Sequence, residues 1–155
     1  MKIYLSGTKG MGKFSIVDDS VSHTVRTKRW YLDKDGYAYT EINGKRVSQH
    51  RLITNAPTGM DVDHINHDKL DNRLENLRVC TRSQNLANML PSKKGTSRYK
   101  GVRWDESRGK WLARISVNNK MKHLGRYYSE IDAARAYNKA AIRLRGEFAL
   151  VNHID

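Results

Sequence analysis

The chain has 155 residues, of which 38% are hydrophobic and 29% charged, so its core must be modest and two small domains would each be marginally stable. The single cysteine, Cys80, excludes an intramolecular disulfide and a multi-cysteine zinc site, which fits a reducing, cytosolic setting. No apolar run approaches the ~20 residues of a membrane span and the N-terminus lacks the apolar segment of a signal peptide, so we expect an intracellular protein with no membrane partner.

Positive charge is concentrated towards the C-terminal end. The net charge is +13; residues 1–90 hold 14 Lys or Arg against 10 Asp or Glu, whereas residues 91–155 hold 15 against 6. This distribution predicts a phosphate-rich partner, and we expect nucleic acid because Trp and Tyr are interleaved with the cations. A solvated basic surface is the alternative interpretation.

Residues 1–52 are predicted to form short strands joined by turns. "MKIYL" is a strand candidate, and residues 37–42 (YAYTEI) alternate in the way that strands do. Asn43 and Gly44 form a hairpin turn pattern, so "RVSQHRLI" is the predicted returning strand.

Residues 7–14 (GTKGMGKF) almost match a phosphate-binding loop, G-x-x-x-x-G-K followed by Ser or Thr. Phe14 stands where that hydroxyl would ligate Mg²⁺. The following "FSIVDDS" predicts another strand, whereas a phosphate site needs a helix N-terminus there. We interpret the stretch as a glycine-rich hairpin turn and expect no nucleotide cofactor; a nucleotide-dependent enzyme is the rival hypothesis.

The polar stretch 63–78 (DHINHDKLDNRLENLR) contains residue types that a phosphodiester hydrolase needs. His64 can activate water as a base and Asp63 can bind a hard cation. Asn76 can orient His64 through an amide hydrogen bond. Asn85 can complete the metal site with its carbonyl oxygen, and Arg82, one turn earlier, points to the same side. Because Asp and Asn offer only oxygen ligands, the set predicts Mg²⁺ or Mn²⁺.

Other polar residues nearby are interpreted as structural. Four are expected to hydrogen-bond within the loop rather than bind metal: Asp68, Asp71, Asn72 and Glu75. His50 is expected to pack or hydrogen-bond near the site, and Arg73 and Arg78 to buttress the loop or contact phosphate.

A short helix, "RSQNLANM", is predicted after Thr81 as N-cap, and Pro91 must end it. Residues 91–97 (PSKKGTS) have the composition of a linker. We therefore predict a first domain over 1–90 and a second over 98–155.

Residues 98–155 predict a three-stranded antiparallel sheet packed on one helix. The strands are "GVRW", "KWLARISVN" and "KHLGRYY", with a turn at Asn118 and Asn119. Alternation in the second strand places Trp111 with the core and Leu112 with Arg114 on the open face. Ser129 caps the helix "EIDAARAYNKAAIRLR", and a glycine at 146 ends it.

Two stretches resemble known families. The first, "DVDHINHDKLDNRLENLRVCTRSQNLAN", resembles the HNH endonuclease motif in the form that phage and intron homing endonucleases carry. The resemblance implies a ββα-metal fold with His64 as general base, Asp63 and Asn85 as metal ligands and Asn76 as the middle asparagine. The second, "YKGVRWDESRGKWLARI" with the helix after it, is similar to the AP2 DNA-binding domain. That likeness implies an α+β protein whose second sheet enters the DNA major groove through these residues: Lys100, Arg103, Arg108, Arg114, Lys122 and His123.

The sequence therefore predicts a metal-dependent DNA endonuclease of homing type, expected to act as a monomer on double-stranded DNA. One rival is a DNA-binding regulator with a catalytically silent HNH scaffold. Another is a protein that binds or cuts RNA.

Overall fold

The computed structural model describes residues 1–91, 95–117 and 120–154, and the chain divides into two units, Met1–Thr81 and Arg82–Asp155. The domain limits inferred from the sequence stay a prediction; the division groups the helix after Thr81 with the second unit. Residues 92–94 of the predicted linker and the predicted turn at Asn118 and Asn119 lie outside the described residues.

The first unit opens with a hairpin around a glycine-rich loop. Strands β1 (Lys2–Tyr4) and β2 (Phe14–Ile16) pair antiparallel. Gly7 and Gly12 of the connecting loop have φ of 79° and 72°, which glycine adopts without steric cost. A strand and not a helix follows the loop, so the predicted hairpin turn is confirmed.

A one-turn helix, α1 (Ser22–Val25), precedes a small antiparallel sheet of β3 (Tyr31–Leu32), β4 (Ala38–Ile42) and β5 (Lys45–Ser48). Between β4 and β5 the two turn residues have φ of 50° and 71°. Two consecutive positive φ angles are typical of a type I′ turn, so the predicted hairpin is confirmed.

The second half of "RVSQHRLI" is a helix, and the prediction of one returning strand is wrong there. Helix α2 (Gln49–Thr54) begins directly after β5. Gln49 and the next residue are both buried, and Leu52 and Ile53 both pack against the core. A strand sends adjacent side chains to opposite faces, whereas a helix brings pairs three residues apart onto one face.

The core of the first unit is small and lies between these short elements. Its buried members are Leu5, Val17, Val25, Trp30 and Ala38. The indole Nε1 of the buried tryptophan donates to the carbonyl of Val25 at 2.9 Å, so its one polar atom is paired.

A second hairpin carries the polar stretch. Strands β6 (Asp61–His64) and β7 (Leu77–Cys80) pair antiparallel, with Asp63 opposite Arg78. The connecting loop is residues 65–76. The helix α3 (Arg82–Asn88) comes next along the chain, which gives the expected β-β-α order.

The second unit continues with a three-stranded antiparallel sheet and one long helix, as predicted. Strands β8 (Val102–Asp105), β9 (Lys110–Val117) and β10 (Lys120–Tyr127) lie in the order β10-β9-β8. The helix α4 (Glu130–Arg145) is capped by Ser129, whose Oγ accepts a hydrogen bond from the Asp132 amide at 3.3 Å. The α+β class is confirmed.

Helix α4 packs on one face of this sheet through small residues and one aromatic ring. Its buried residues are Ala133, Ala134, Tyr137, Ala140 and Ala141. On β8 and β9, Trp104 and Trp111 meet edge to face, with ring centroids 5.1 Å apart. No helix within the described part of the chain is long and apolar enough to cross a membrane.

Candidate functional site

The loop 65–76 is ordered by its own polar side chains. Asn66 Oδ1 accepts from the Asp68 amide at 2.8 Å, and Asp68 Oδ1 accepts from the Leu70 amide at 2.9 Å. Each is a local turn in which a side chain replaces a backbone acceptor. The predicted structural role of Asp68 is confirmed.

A buried carboxylate anchors the centre of the loop. Asp71 is paired with Arg73 at 2.7 Å and accepts from Asn66 Nδ2 at 2.9 Å. The Arg73 guanidinium, which also pairs with Glu75 at 2.7 Å, holds the pKa of the Asp71 carboxyl below its usual value. Arg73 therefore buttresses the loop, as expected.

Asn76 ties the two ends of the loop together. Its Oδ1 accepts from the Asn66 amide at 2.9 Å, and its Nδ2 donates to the Asp71 carbonyl at 2.7 Å. The prediction that Asn76 hydrogen-bonds to His64 is therefore wrong, because the amide is committed to the loop backbone.

His64 is positioned instead by two buried amides. Its Nε2 lies 2.8 Å from Asn72 Oδ1, and Asn72 Nδ2 donates to Gln49 Oε1 at 2.7 Å. Asn72 and Gln49 are both 0% exposed. The chain Gln49–Asn72–His64 links α2, the loop and the end of β6. Asn72, expected only to hydrogen-bond within the loop, thus contacts the proposed base.

These contacts match one tautomer of His64. Asn72 Nδ2 donates to Gln49, so its oxygen faces His64, and the tautomer that donates to that oxygen has its proton on Nε2. Nδ1 then carries the lone pair. Burial lowers the pKa of His64 below its ordinary value of 6.5, partly offset by the Asn72 hydrogen bond and by Asp63. A neutral imidazole at pH 7 is the form that can accept a proton.

Two further rings surround this imidazole. His50 lies with its centroid 5.2 Å from that of His64, edge to face, and Tyr37 lies 5.9 Å from the same ring. Burial and the neighbouring His64 lower the pKa of His50 to about 4. His50 is therefore neutral and packs beside the site, as expected.

Asp63, the neighbour of His64 on β6, is paired across the hairpin. Arg78 donates to Asp63 Oδ2 from Nε at 2.9 Å and from Nη2 at 2.7 Å. Both side chains are largely buried. Arg78 thus holds one carboxylate oxygen in place and compensates its charge.

The donor set fits a hard divalent cation with few protein ligands. Within residues 1–91, 95–117 and 120–154, no three His, Cys, Asp or Glu side chains are grouped closely enough to hold a metal. A zinc cluster of that kind is therefore absent from the described residues. The buried Asp63 carboxylate beside His64 is a hard oxygen donor. Mg²⁺ is commonly held by one or two such protein oxygens, with water and substrate phosphate supplying the rest.

The remaining predicted residues of the nuclease site lie on α3. Arg82 is its first residue, and Asn85 follows three positions later. The structure thus brings Asp63 and His64 together in the first unit, while Arg82 and Asn85 belong to the second.

The second unit has an open sheet face rich in arginine. Directly opposite residues on neighbouring strands share a face. The register pairs Arg114 with His123, and Leu112 with Arg103 on one side and Arg126 on the other. Leu112 was predicted to lie on the exposed face, but its side chain is buried. Its four neighbours are exposed: Arg103, Arg114, His123 and Arg126. The predicted Arg114 face is therefore present, with a buried leucine at its centre.

A β-bulge in β10 changes which residues belong to that face. The register shifts between His123 and Gly125, so the alternation restarts after Leu124. Lys122, predicted to contact DNA, pairs with the core residue Ile115 and lies on the opposite face from Arg114. Arg126, which was not predicted, joins Arg114 and pairs with Asp105 at 2.8 Å.

Lys100 also differs from its prediction. Its ammonium donates to the Ala87 carbonyl at 2.7 Å and to the Met89 carbonyl, so it is directed at the end of α3 rather than at a DNA face. Arg108 is exposed in the turn before β9, with a longer ion pair to Asp105 at 3.7 Å.

A β-β-α hairpin with a fixed neutral histidine, together with an arginine-faced sheet on one helix, defines a nuclease-type site joined to a DNA-binding fold. Residues 50–87 match the family model of the HNH endonuclease, and residues 97–147 match that of the AP2 domain. The chain is 36% identical over 153 residues to uncharacterized HNH endonuclease L560 of Acanthamoeba polyphaga mimivirus. That match covers 95% of this chain and 79% of the relative. The chain therefore belongs to the HNH endonuclease family and carries an AP2 domain.

Other relatives share one part each. The chain is 30% identical over 93 residues to Protein 3.8 of Escherichia phage T7, covering 60% of this chain and 76% of that protein. It is 36% identical over 85 residues to the ethylene-responsive transcription factor WRI1 of Arabidopsis thaliana, covering 51% of this chain but 20% of the plant protein.

Proposed function

We propose that this protein is a metal-dependent DNA endonuclease of homing type, which acts as a monomer on duplex DNA. One observation carries the proposal. The His64 imidazole, whose pKa burial lowers, is held through Nε2 by Asn72 next to the Asp63 carboxylate. The family match supports the same reaction class.

In the proposed reaction, His64 Nδ1 accepts a proton from water. The water oxygen forms a bond to phosphorus while the bond from phosphorus to the 3′ oxygen breaks. Asp63 and Asn85 would hold the cation. A bound Mg²⁺ or Mn²⁺ ion supplies charge stabilisation at the phosphate and at the leaving oxygen. Arg82 shares that charge, and Arg78 keeps Asp63 oriented.

The AP2 domain would hold the duplex through its open face. That proposed contact surface consists of Arg103, Arg114, His123 and Arg126, with Arg108 at its edge. Lys100 and Lys122 lie outside this surface, because Lys100 is directed at the end of α3 and Lys122 is on the opposite face of the sheet. The relative from Escherichia phage T7 supports a phage-type origin and action in a bacterial cytoplasm.

Conversion of supercoiled plasmid to nicked or linear forms tests this function. We expect cleavage with Mg²⁺ or Mn²⁺ and none in EDTA. His64→Ala should abolish cleavage and leave DNA affinity nearly unchanged, because the imidazole acts only in the transition state. His23→Ala, at an exposed histidine outside the site, is the matched control. Near-parental nicking by His64→Ala would show that His64 is not the base.

The Arg78–Asp63 ion pair favours one second candidate, a DNA-binding regulator with a silent HNH scaffold, because it already compensates the carboxylate expected to bind metal. The two candidates differ in one measurement. A regulator binds the duplex but leaves plasmid intact at every Mg²⁺ or Mn²⁺ concentration.

A further inference from the structure

The carbonyl end of helix α3 is held by two cations. Lys100 Nζ donates to the carbonyls of Ala87 and Met89, and Arg145 Nη1 donates to the Ala87 carbonyl at 3.2 Å. The last carbonyls of a helix have no partner within it and carry partial negative charge, so cations are favourable there. Both cations lie within the stretch that matches the AP2 domain.

The backbone of Lys100 is itself fixed. Its amide donates to Asn152 Oδ1 at 2.6 Å, and Asn152 Nδ2 donates back to the Lys100 carbonyl at 3.1 Å. Asn152 is fixed in turn by Asn138 of α4 through two hydrogen bonds of 2.7 and 2.8 Å. The Lys100 ammonium therefore extends from a backbone that hydrogen bonds hold in place.

Arg145 joins three elements. Its Nη2 donates to the Ser116 carbonyl of β9 at 2.8 Å, and its Nη1 lies 3.2 Å from Tyr137 Oη. Burial, with a smaller effect of Arg145, lowers the pKa of Lys100 to about 8, which marks an ammonium withdrawn from solvent. We call Lys100 and Arg145 together the helix clasp.

We propose that the helix clasp positions the nuclease helix: the AP2 domain fixes α3, which carries Asn85 and Arg82, in addition to holding DNA. This inference rests on the proposed function, in which Asn85 binds the cation. Helix α3 spans seven residues, and a helix that short is not stable in water without tertiary support. The clasp supplies that support and is separate from the open sheet face.

Three variants of the full chain test the clasp. Lys100→Met keeps the aliphatic stem and removes the charge, whereas Lys100→Arg keeps a donor. Lys139→Met makes the same change at an exposed position of α4 and is the control. Thermal unfolding confirms that each variant is folded. If Lys100→Met does not fold, Arg145→Met replaces it in the measurements.

The first measurement is hydrogen exchange of the metal-free protein. Lys100→Met should exchange the α3 amides about tenfold faster while those of β9 stay protected, because local opening follows the loss of local contacts. The second is cleavage at saturating DNA. We expect a rate lower by about tenfold and a higher Mg²⁺ requirement, with DNA affinity in EDTA within about twofold of the parent.

Two outcomes would overturn the proposal. One is a loss of DNA affinity by Lys100→Met in proportion to its loss of cleavage, which would make Lys100 a DNA contact. The other is parental exchange and parental cleavage. If the parent protein itself cuts no DNA, the proposed function fails, and the exchange of α3 alone decides whether the clasp holds the helix.

Discussion

At the scale of single residues, the two asparagines of the polar loop have exchanged the roles that the sequence suggested. Asn76 and Asn72 stand four positions apart in similar surroundings. Which of them contacts His64 depends on how the loop folds back onto α2, where Gln49 is fully buried. Local sequence was enough to select His64 as the candidate base, whereas its Asn72 partner depends on the contact of Asn72 with Gln49, 23 residues away.

The hydrogen bond from Asn72 predicts a pH effect. Burial keeps the His64 pKa below 6.5, so the parent should lose activity only as the pH falls through that lowered value. Asn72→Asp places a carboxylate against Nε2, which favours the imidazolium and raises the His64 pKa. The acidic limb of the cleavage rate should therefore move to higher pH.

Cleavage rates between pH 5 and 9 at saturating metal measure this shift. Gln49→Leu is the companion variant, since it removes the partner of Asn72 without adding charge. It should lower the rate and move the limb little. If Asn72→Asp leaves the acidic limb of the cleavage rate in place, or moves it to lower pH, His64 is not the group being titrated.

At the scale of elements, one glycine sets the distance between β8 and α4. A Cβ added at Gly101 would lie 2.0 Å from Tyr137 Cδ2, and its φ is 76°. Gly101→Ala combines a clash with a strained backbone and should cost about 3 kcal/mol in the free energy of unfolding. Urea denaturation of the full chain measures it.

Gly109→Ala is the matched control for that prediction. It also has positive φ, 58°, but nothing lies within 4 Å of the added Cβ. Its cost should stay near 1 kcal/mol, from backbone strain alone. Equal losses for the two variants would show that the contact with Tyr137 does not limit the packing.

The open face of the sheet predicts a loss of DNA selectivity. Arg114 is exposed beside His123 on the central strand. If it reads a guanine, Arg114→Ala should lower affinity for a selected site by about 1–3 kcal/mol more than for random DNA. Competitive binding tests this against Lys139→Ala. Equal losses on both DNAs would make the face a nonspecific clamp.

The elements that were predictable from sequence are those with local determinants. Helix α4 follows from its N-cap, its apolar period and its terminal glycine, and the β4–β5 hairpin follows from its two turn residues. The bulge near Leu124 was not predictable, because one extra residue in β10 is defined only by its pairing with β9. Lys122, which the AP2 resemblance implied as a DNA contact, therefore lies on the opposite face from Arg114, and Arg126 lies on the Arg114 face.

At the scale of the whole molecule, the grouping of α3 with the second unit changes where a stable fragment should start. A fragment starting near Pro91 would contain the whole of the predicted second domain. It would leave the Lys100 ammonium without the Ala87 and Met89 carbonyls. A fragment of residues 82–155 should therefore be more stable by about 1–3 kcal/mol.

Thermal unfolding of the two fragments measures that difference. Both should bind duplex DNA with steep salt dependence, because each neutralised phosphate adds roughly one unit to the log–log slope. Neither should cut, since His64 is missing. Equal stability of the two fragments would mean that α3 contributes nothing to the second unit.

The helix clasp also limits how this protein can be recombined with others. An exchange of DNA-binding domains made at the linker, after residue 90, would separate Ala87 from both of its cations. The recipient nuclease would then keep the proposed base and lose the clasp on the helix that is proposed to bind metal. Working chimeras should be those joined at Thr81, where the helix travels with the AP2 domain that caps it. In this protein a new target site would then be acquired together with the helix that is proposed to bind metal.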